Sequence, residues 1–84
     1  MYAEKKDKVI RVLSIYKKLI DGEIVNKAQE ANYYNVTTRS IQRDIDDIRS
    51  FLDEEISKTG VLNCVIYDHA NKGYRLEKTY KLTH

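Results

Sequence analysis

At 84 residues the chain is long enough for one small domain with a modest core, which excludes a large enclosed catalytic cavity. No stretch approaches the roughly 20 apolar residues of a membrane span, and the opening "MYAEKKDKV" lacks a signal peptide's apolar run, so a cytoplasmic protein with no membrane partner is expected. The single cysteine, Cys64, excludes an internal disulfide and a multi-cysteine zinc site, and the net charge of +2 is unevenly spread: residues 1–22 carry +3, residues 23–57 carry −4 and residues 58–84 carry +3.

From about Glu4 to Ile20, Val9, Val12, Leu13, Tyr16, Leu19 and Ile20 follow the three-four spacing of one helical face, and "DG" at 21 and 22 supplies a stop. Ile10 and Ile15 fall off that stripe. They are expected to be covered by neighbouring elements or to form a subunit or interdomain contact, with Tyr80 and Leu82 as further candidates. "EIV" at 23–25 is long enough for one short edge strand. Asn26 then suits an N-cap, with Gln29 at the capping-box spacing.

The second helix runs through Ala28, Ala31 and Tyr34 to Asn35, a residue that tolerates the left-handed conformation of a tight turn. Val36 enters the core and Thr37 caps a third helix, about Thr38 to Glu54, whose Ile41, Ile45, Ile48 and Leu52 share one face. Beyond it the period shifts from 3.6 toward 2. "NCVIYD" at 63–68 and "YRLEK" at 74–78 read as strands, separated by "HANKG", where Asn71 and Gly73 suit the turn of a hairpin. The fold class is α+β: a winged helix-turn-helix, with a three-helix bundle, a short first strand and a C-terminal hairpin wing. Residues 1–78 form the domain and 79–84 a tail or the start of a linker.

Taking Ile41 as the inward direction, Arg39 lies near about 160° and Arg43 near about 200° on the third helix, so both point away from the core. Ser40 and Gln42 flank them, and Lys27 stands ahead of the acids in the same local basic patch. Arginine can make two hydrogen bonds to guanine in the major groove, and glutamine can pair with adenine. Thr37 and Thr38 sit where free helix amides would meet a phosphate. The plainer alternative is a solvated surface on which Arg43 pairs with Asp47 four residues on.

"ANYYNVTTRSIQRDIDDI", residues 31–48, resembles the helix-turn-helix signature of the WYL-domain family of bacterial transcriptional regulators, and more loosely that of DeoR-like repressors, whose pattern runs A-E-Y-F-G-V-S-x-R-T-I-x-R-D-I. Ala31, Tyr33, Val36, Arg39, Ile41, Arg43, Asp44 and Ile45 coincide with it; Thr37 and Ser40 replace Ser and Thr, and Tyr34 and Asn35 stand where Phe and Gly are usual. "DHANKGYRL" at 68–76 is similar to the same family's wing, which closes with "GYRL". The resemblance implies binding to operator or promoter DNA. It gives Arg39 and Arg43 to bases or phosphates, Thr37 to the cap and a phosphate, and the wing, with Lys72 and Arg75, to the neighbouring backbone or minor groove. Members of that family continue into a ligand-sensing WYL domain, whereas this sequence stops at "KTYKLTH", so the chain reads either as a separated DNA-binding part or as a single-domain regulator.

Asp44 projects toward the flank of the apolar stripe, where a structural salt bridge is expected. Cys64 and His69 are too few and too far apart for a metal site, and Cys64 reads as a half-buried thiol in a strand. Tyr16, Tyr33, Tyr67 and Tyr74 occupy core-like or hairpin positions. No nucleophile constellation and no phosphate-binding glycine loop is present, so neither an enzyme nor a cofactor is expected, and the residues specify no effector ligand. Two readings remain: a DNA-binding regulator acting as a homodimer or as tandem copies, and a winged-helix protein-interaction module whose acidic segment from Asp44 to Glu55 docks a basic partner.

Overall fold

The computed structural model describes the backbone of residues 2–80 and the side chains of residues 7–78. Three helices precede a two-stranded antiparallel hairpin: α1 Tyr2–Ile20, α2 Lys27–Tyr34, α3 Thr38–Thr59, β1 Val61–Asp68 and β2 Gly73–Tyr80. Among the described residues no helix is long and apolar enough to cross a membrane.

Each helix ends where its sequence removes the means to continue. After α1 the chain turns at Gly22 (φ 84°), and the amides of Asp21, Gly22 and Glu23 satisfy the last carbonyls of the helix. Asn26 caps α2, its side-chain oxygen accepting from the Gln29 amide at 2.9 Å. Asn35 adopts the left-handed conformation (φ 58°, ψ 47°) that swings the chain into α3. Thr37 caps α3 by accepting from the Ser40 amide at 3.1 Å.

The third helix is five residues longer than its expected end at Glu54. Ile56 keeps it half-buried for another turn, and no residue breaks the helix until Gly60, which takes the left-handed C-cap (φ 75°) and passes directly into β1. The strands are correspondingly longer than 63–68 and 74–78, pairing from Val61↔Tyr80 to Asp68↔Gly73. Thr79 and Tyr80, expected in a tail or linker, belong to β2. Leu82 and the Tyr80 side chain, suggested as contact residues, lie outside the described residues.

The short strand expected at 23–25 shrinks to one bridge, Val25↔Tyr74, in which the two residues exchange both backbone hydrogen bonds at 2.7 Å. That bridge explains Gly73 better than turn geometry does. Lys72, not Gly73, has the positive φ (55°), whereas a Cβ on Gly73 would stand 2.5 Å from Ile24 Cγ2 and 2.8 Å from the Val25 carbonyl.

Ile15, Leu19, Val25, Ala31, Ile41, Ile45, Ile48, Leu52 and Val65 form the core, with Val12, Tyr16, Val36, Tyr74 and Leu76 packed against it. The face expected of α3 is the buried one. The face expected of α1 is so only in part: Leu19 is buried and Val12 and Tyr16 pack on the core, but Ile15, off the expected stripe, is fully buried, while Val9, Leu13 and Ile20 are exposed. The reason is polar. Arg11 hydrogen-bonds the fully buried Asp44 of α3 through Nε and, at 3.0 Å, through Nη2, which turns residues 12, 15 and 19 inward rather than 9, 13 and 20. Tyr33, expected at a core-like position, is 77% exposed and stacks edge-on against Tyr34.

Candidate functional site

The Thr37 hydroxyl holds the cap, accepting from the Ser40 amide and donating to Ser40 Oγ at 3.2 Å, so Ser40 is half-buried within the cap. Thr38, Arg39 and Arg43 are exposed. With Ile41 and Ile45 fully buried on one side, Arg39 and Arg43 are carried to the opposite side of the same two turns.

Neither arginine has a hydrogen-bond or ion-pair partner among the described residues. Asp47, four residues beyond Arg43, pairs instead with Lys8 of α1 at 3.5 Å, and Asp46 takes Gln42 at 3.1 Å and Arg49 at 3.6 Å. The surface pair between Arg43 and Asp47 is therefore not formed. Among the described lysines and arginines, only Arg39, Arg43, Lys72 and Lys78 lack a partner for the charged head. Arg11 pairs with Asp44, Lys17 with Asp21, Lys18 with Glu30, Lys58 with Glu55 and Arg75 with Asp68.

The expected site residues divide accordingly. Thr38, Arg39, Arg43 and Lys72 stand free on the surface, and Thr37 and Ser40 form the cap. Lys27, Gln42 and Arg75 are committed internally. Gln42 Oε1 accepts from Lys27 Nζ at 2.8 Å and from the Tyr74 hydroxyl at 3.3 Å, and Gln42 Nε2 donates to Asp46, so its amide is occupied on both ends. The Tyr74 ring also carries Lys27 and Arg49 at 5.8 and 5.6 Å from its centroid. Arg49 donates from Nη2 to the Val65 carbonyl at 2.9 Å. This cluster bolts the hairpin to α2 and α3.

The hairpin turn is fixed from two further sides. Asn26, besides capping α2, donates from Nδ2 to the Lys72 carbonyl at 3.0 Å, which leaves the Lys72 ammonium outward at the tip. Asp68 accepts from the Asn71 side chain at 2.9 Å, the Asn71 backbone at 3.0 Å and Arg75 Nε at 3.1 Å. Those donors, the Asn71 side chain foremost, hold the Asp68 carboxyl below the usual carboxylate range.

Two buried acids anchor α1. Asp44 raises the Arg11 guanidinium through their hydrogen bonds, and Glu30 of α2 raises Lys18 through a 2.6 Å hydrogen bond. The expected salt bridge of Asp44 is thus present. Arg11, Glu30, Arg49 and Tyr74 were not singled out from the sequence as positioning residues, and the one signal that pointed toward any of them was Asp44 lying on the flank of an apolar stripe.

Comparison of the sequence with protein-family models, with curated proteins and with solved structures gives no match.

Proposed function

We propose that the chain is a sequence-specific DNA-binding transcriptional regulator of winged helix-turn-helix architecture, related to the WYL-domain regulators that residues 31–48 resemble. The observation that carries this reading is the distribution of unspent cations. Eight of the twelve described lysines and arginines have a partner within the chain, and the four left free are two on the outer face of the first turns of α3 and two on the hairpin. Free cations beside a helix N-terminus capped by neutral hydroxyls make a surface that attracts phosphate.

In this reading the first two turns of α3 enter the major groove. Arg39 and Arg43 reach base edges, each bidentate contact to guanine contributing about 1–3 kcal/mol of discrimination. Thr38 and the uncapped amides of α3 meet a phosphate, and Lys72 meets the backbone from the hairpin tip. Lys27, Gln42 and Tyr74 orient the wing rather than read bases. Occupancy of promoter DNA is the regulatory act, and no cofactor is needed. A single module of this size reads few base pairs, so two copies on paired half-sites supply the specificity.

The test is a fluorescence-anisotropy titration of the purified chain against DNA upstream of its own gene and against a scrambled duplex, at about 50 and 200 mM salt. The expected outcome is at least about a hundredfold preference for the upstream duplex and a steep salt slope. Arg39→Ala with Arg43→Ala should remove the preference, and Lys72→Ala should lower the slope by about one while weakening both duplexes alike. Absence of DNA binding at low salt would overturn the reading and turn attention to a winged-helix module that binds protein. For that module Asp44 is unusable, being fully buried against Arg11.

A further inference from the structure

The hairpin tip carries its cation on a strained backbone. Lys72 is in the left-handed region (φ 55°), although Asn71 and Gly73 on either side of it are residue types that take that conformation more readily. A lysine persists there only where its surroundings impose the conformation, and such positions concentrate where a side chain has to be aimed. The hairpin's own anchors stop short of it. Asp68 fixes Asn71 on one side, and the Val25–Tyr74 bridge fixes the strand beyond Gly73 on the other. Among the described residues, the Lys72 carbonyl accepts one side-chain bond from outside the hairpin, from Asn26 Nδ2 at 3.0 Å.

We propose that Asn26 is a positioning residue for the contact between the hairpin tip and the DNA backbone: its amide holds Lys72 in the left-handed conformation and sets where the ammonium stands relative to α3. The place of Asn26 in the chain gives it this reach. Residues 25, 26 and 27 engage, in turn, the backbone of Tyr74, the carbonyl of Lys72 and the side chain of Gln42 on α3. Three consecutive residues thus gauge the tip against the helix that carries Arg39 and Arg43. Asn26 is engaged at its other end as well, since Oδ1 accepts from the Gln29 amide at 2.9 Å and caps α2. The bond to Lys72 therefore comes from a side chain whose rotamer the cap already fixes.

The gain is one of preorganisation. A tip already held in its binding conformation loses little backbone freedom on meeting a phosphate, whereas an unheld lysine relaxes out of the left-handed region and has to be reordered on binding. That use of the tip rests on the DNA-binding reading, but the holding of Lys72 by Asn26 does not.

Asn26→Ser separates the two bonds without adding charge. Serine is an equally good N-cap, so α2 keeps its start, but its single oxygen is engaged in the cap and stands a bond closer to the backbone, which leaves the Lys72 carbonyl without its donor. In the free protein, amide relaxation by NMR should give order parameters near about 0.85 at Lys72 and Gly73 of the wild type and below about 0.6 in Asn26→Ser, with the α2 amides unmoved. Against the upstream and scrambled duplexes at about 50 mM salt, Asn26→Ser should weaken binding at least about threefold, within the roughly tenfold that one phosphate contact represents at that salt. Made in a Lys72→Ala chain, the same change should cost less than about 1.5-fold, a sparing that a general loosening of the fold would not produce. Unmoved order parameters at Lys72 and Gly73 overturn the proposal, as does a loosened tip with wild-type affinity or an equal loss with and without Lys72. Failure of the DNA-binding reading is seen elsewhere, in a wild type that binds neither duplex at low salt.

Discussion

Replacing Asp44 by alanine removes the one buried charge that ties α3 to α1. The carboxylate is fully buried and takes both Nε and Nη2 of Arg11, whose side chain is itself only 11% exposed, with Lys8 a further 4.0 Å away. Removing one member of a buried pair strands the other, at a cost of about 3–5 kcal/mol. Arg11 is long and can withdraw part of the way to water, so the lower end, about 3 kcal/mol, is expected. For a chain of 84 residues the whole stability is on the order of 4–12 kcal/mol. With a urea m-value of about 1 kcal/mol/M, the midpoint followed by circular dichroism should therefore fall by about 3 M at unchanged m. Arg11→Met added to Asp44→Ala removes the stranded cation and should restore at least about 1 kcal/mol, a positive coupling in the double-mutant cycle. A midpoint within about 0.5 M of wild type, or strictly additive single effects, would refute the clamp as the device that sets the rotation of α1.

Three further outcomes follow from local geometry. Gly73→Ala forces a methyl against the carbonyl of Val25, a residue that two 2.7 Å hydrogen bonds to Tyr74 hold in place, so overpacking of about 1–3 kcal/mol is expected and should appear as a fall in Tm of at least about 4 °C. Thr37→Ala deprives the Ser40 amide of its acceptor and should cost about 1 kcal/mol in urea denaturation, with Thr37→Ser close to neutral. Asp68 has a folded pKa below its unfolded value, so its contribution to the turn is complete above about pH 4 and is lost as pH falls through the lower folded value. The Asn71 amide resonance should report that titration below about pH 4 in wild type and lose it in Asp68→Asn, whereas a midpoint at or above that value would contradict the geometry.

What the sequence disclosed and what it concealed differ in physical kind. Caps and turns are local: Asn26 and Thr37 cap with side chains that reach amides three residues on, and Asn35 and Gly22 turn the chain through their own positive φ, so a few neighbouring letters suffice to place them. The inner face of α3 was legible because Ile41, Ile45, Ile48 and Leu52 have no competing stripe. On α1 two stripes compete. Val12, Tyr16 and Leu19 of the expected stripe do face the core, but Ile15 joins them while Val9, Leu13 and Ile20 stay outside, because the rotation is set by a partner of Arg11 33 residues away, Asp44. Gln42 and Lys27 were hidden for the same reason: only the approach of Tyr74 from β2 converts two surface polar residues into a bolt.

The same division explains why Arg39 and Arg43 are left without partners. Helix α3 has one flank turned to α1, where Asp44 and Asp47 meet Arg11 and Lys8, and another turned to the hairpin, where Gln42 and Arg49 meet Tyr74 and Val65. Its inner face fills the core, so only the outer face remains uncommitted. Along that face the sign reverses after the second turn, from Arg39 and Arg43 to Asp46, Asp53 and Glu54, all exposed. A polyanion lying along the full 22-residue helix would meet repulsion over its second half, whereas one meeting it end-on at the N-terminus would encounter both arginines and the helix amides together. Reversing that asymmetry is a direct trial of the orientation: Asp53→Lys with Glu54→Lys should raise affinity for any duplex, by making the second half attractive, while lowering the preference for the cognate sequence. If the double lysine variant instead left non-specific affinity unchanged at about 50 mM salt, the outer face of α3 would not be the surface that meets DNA.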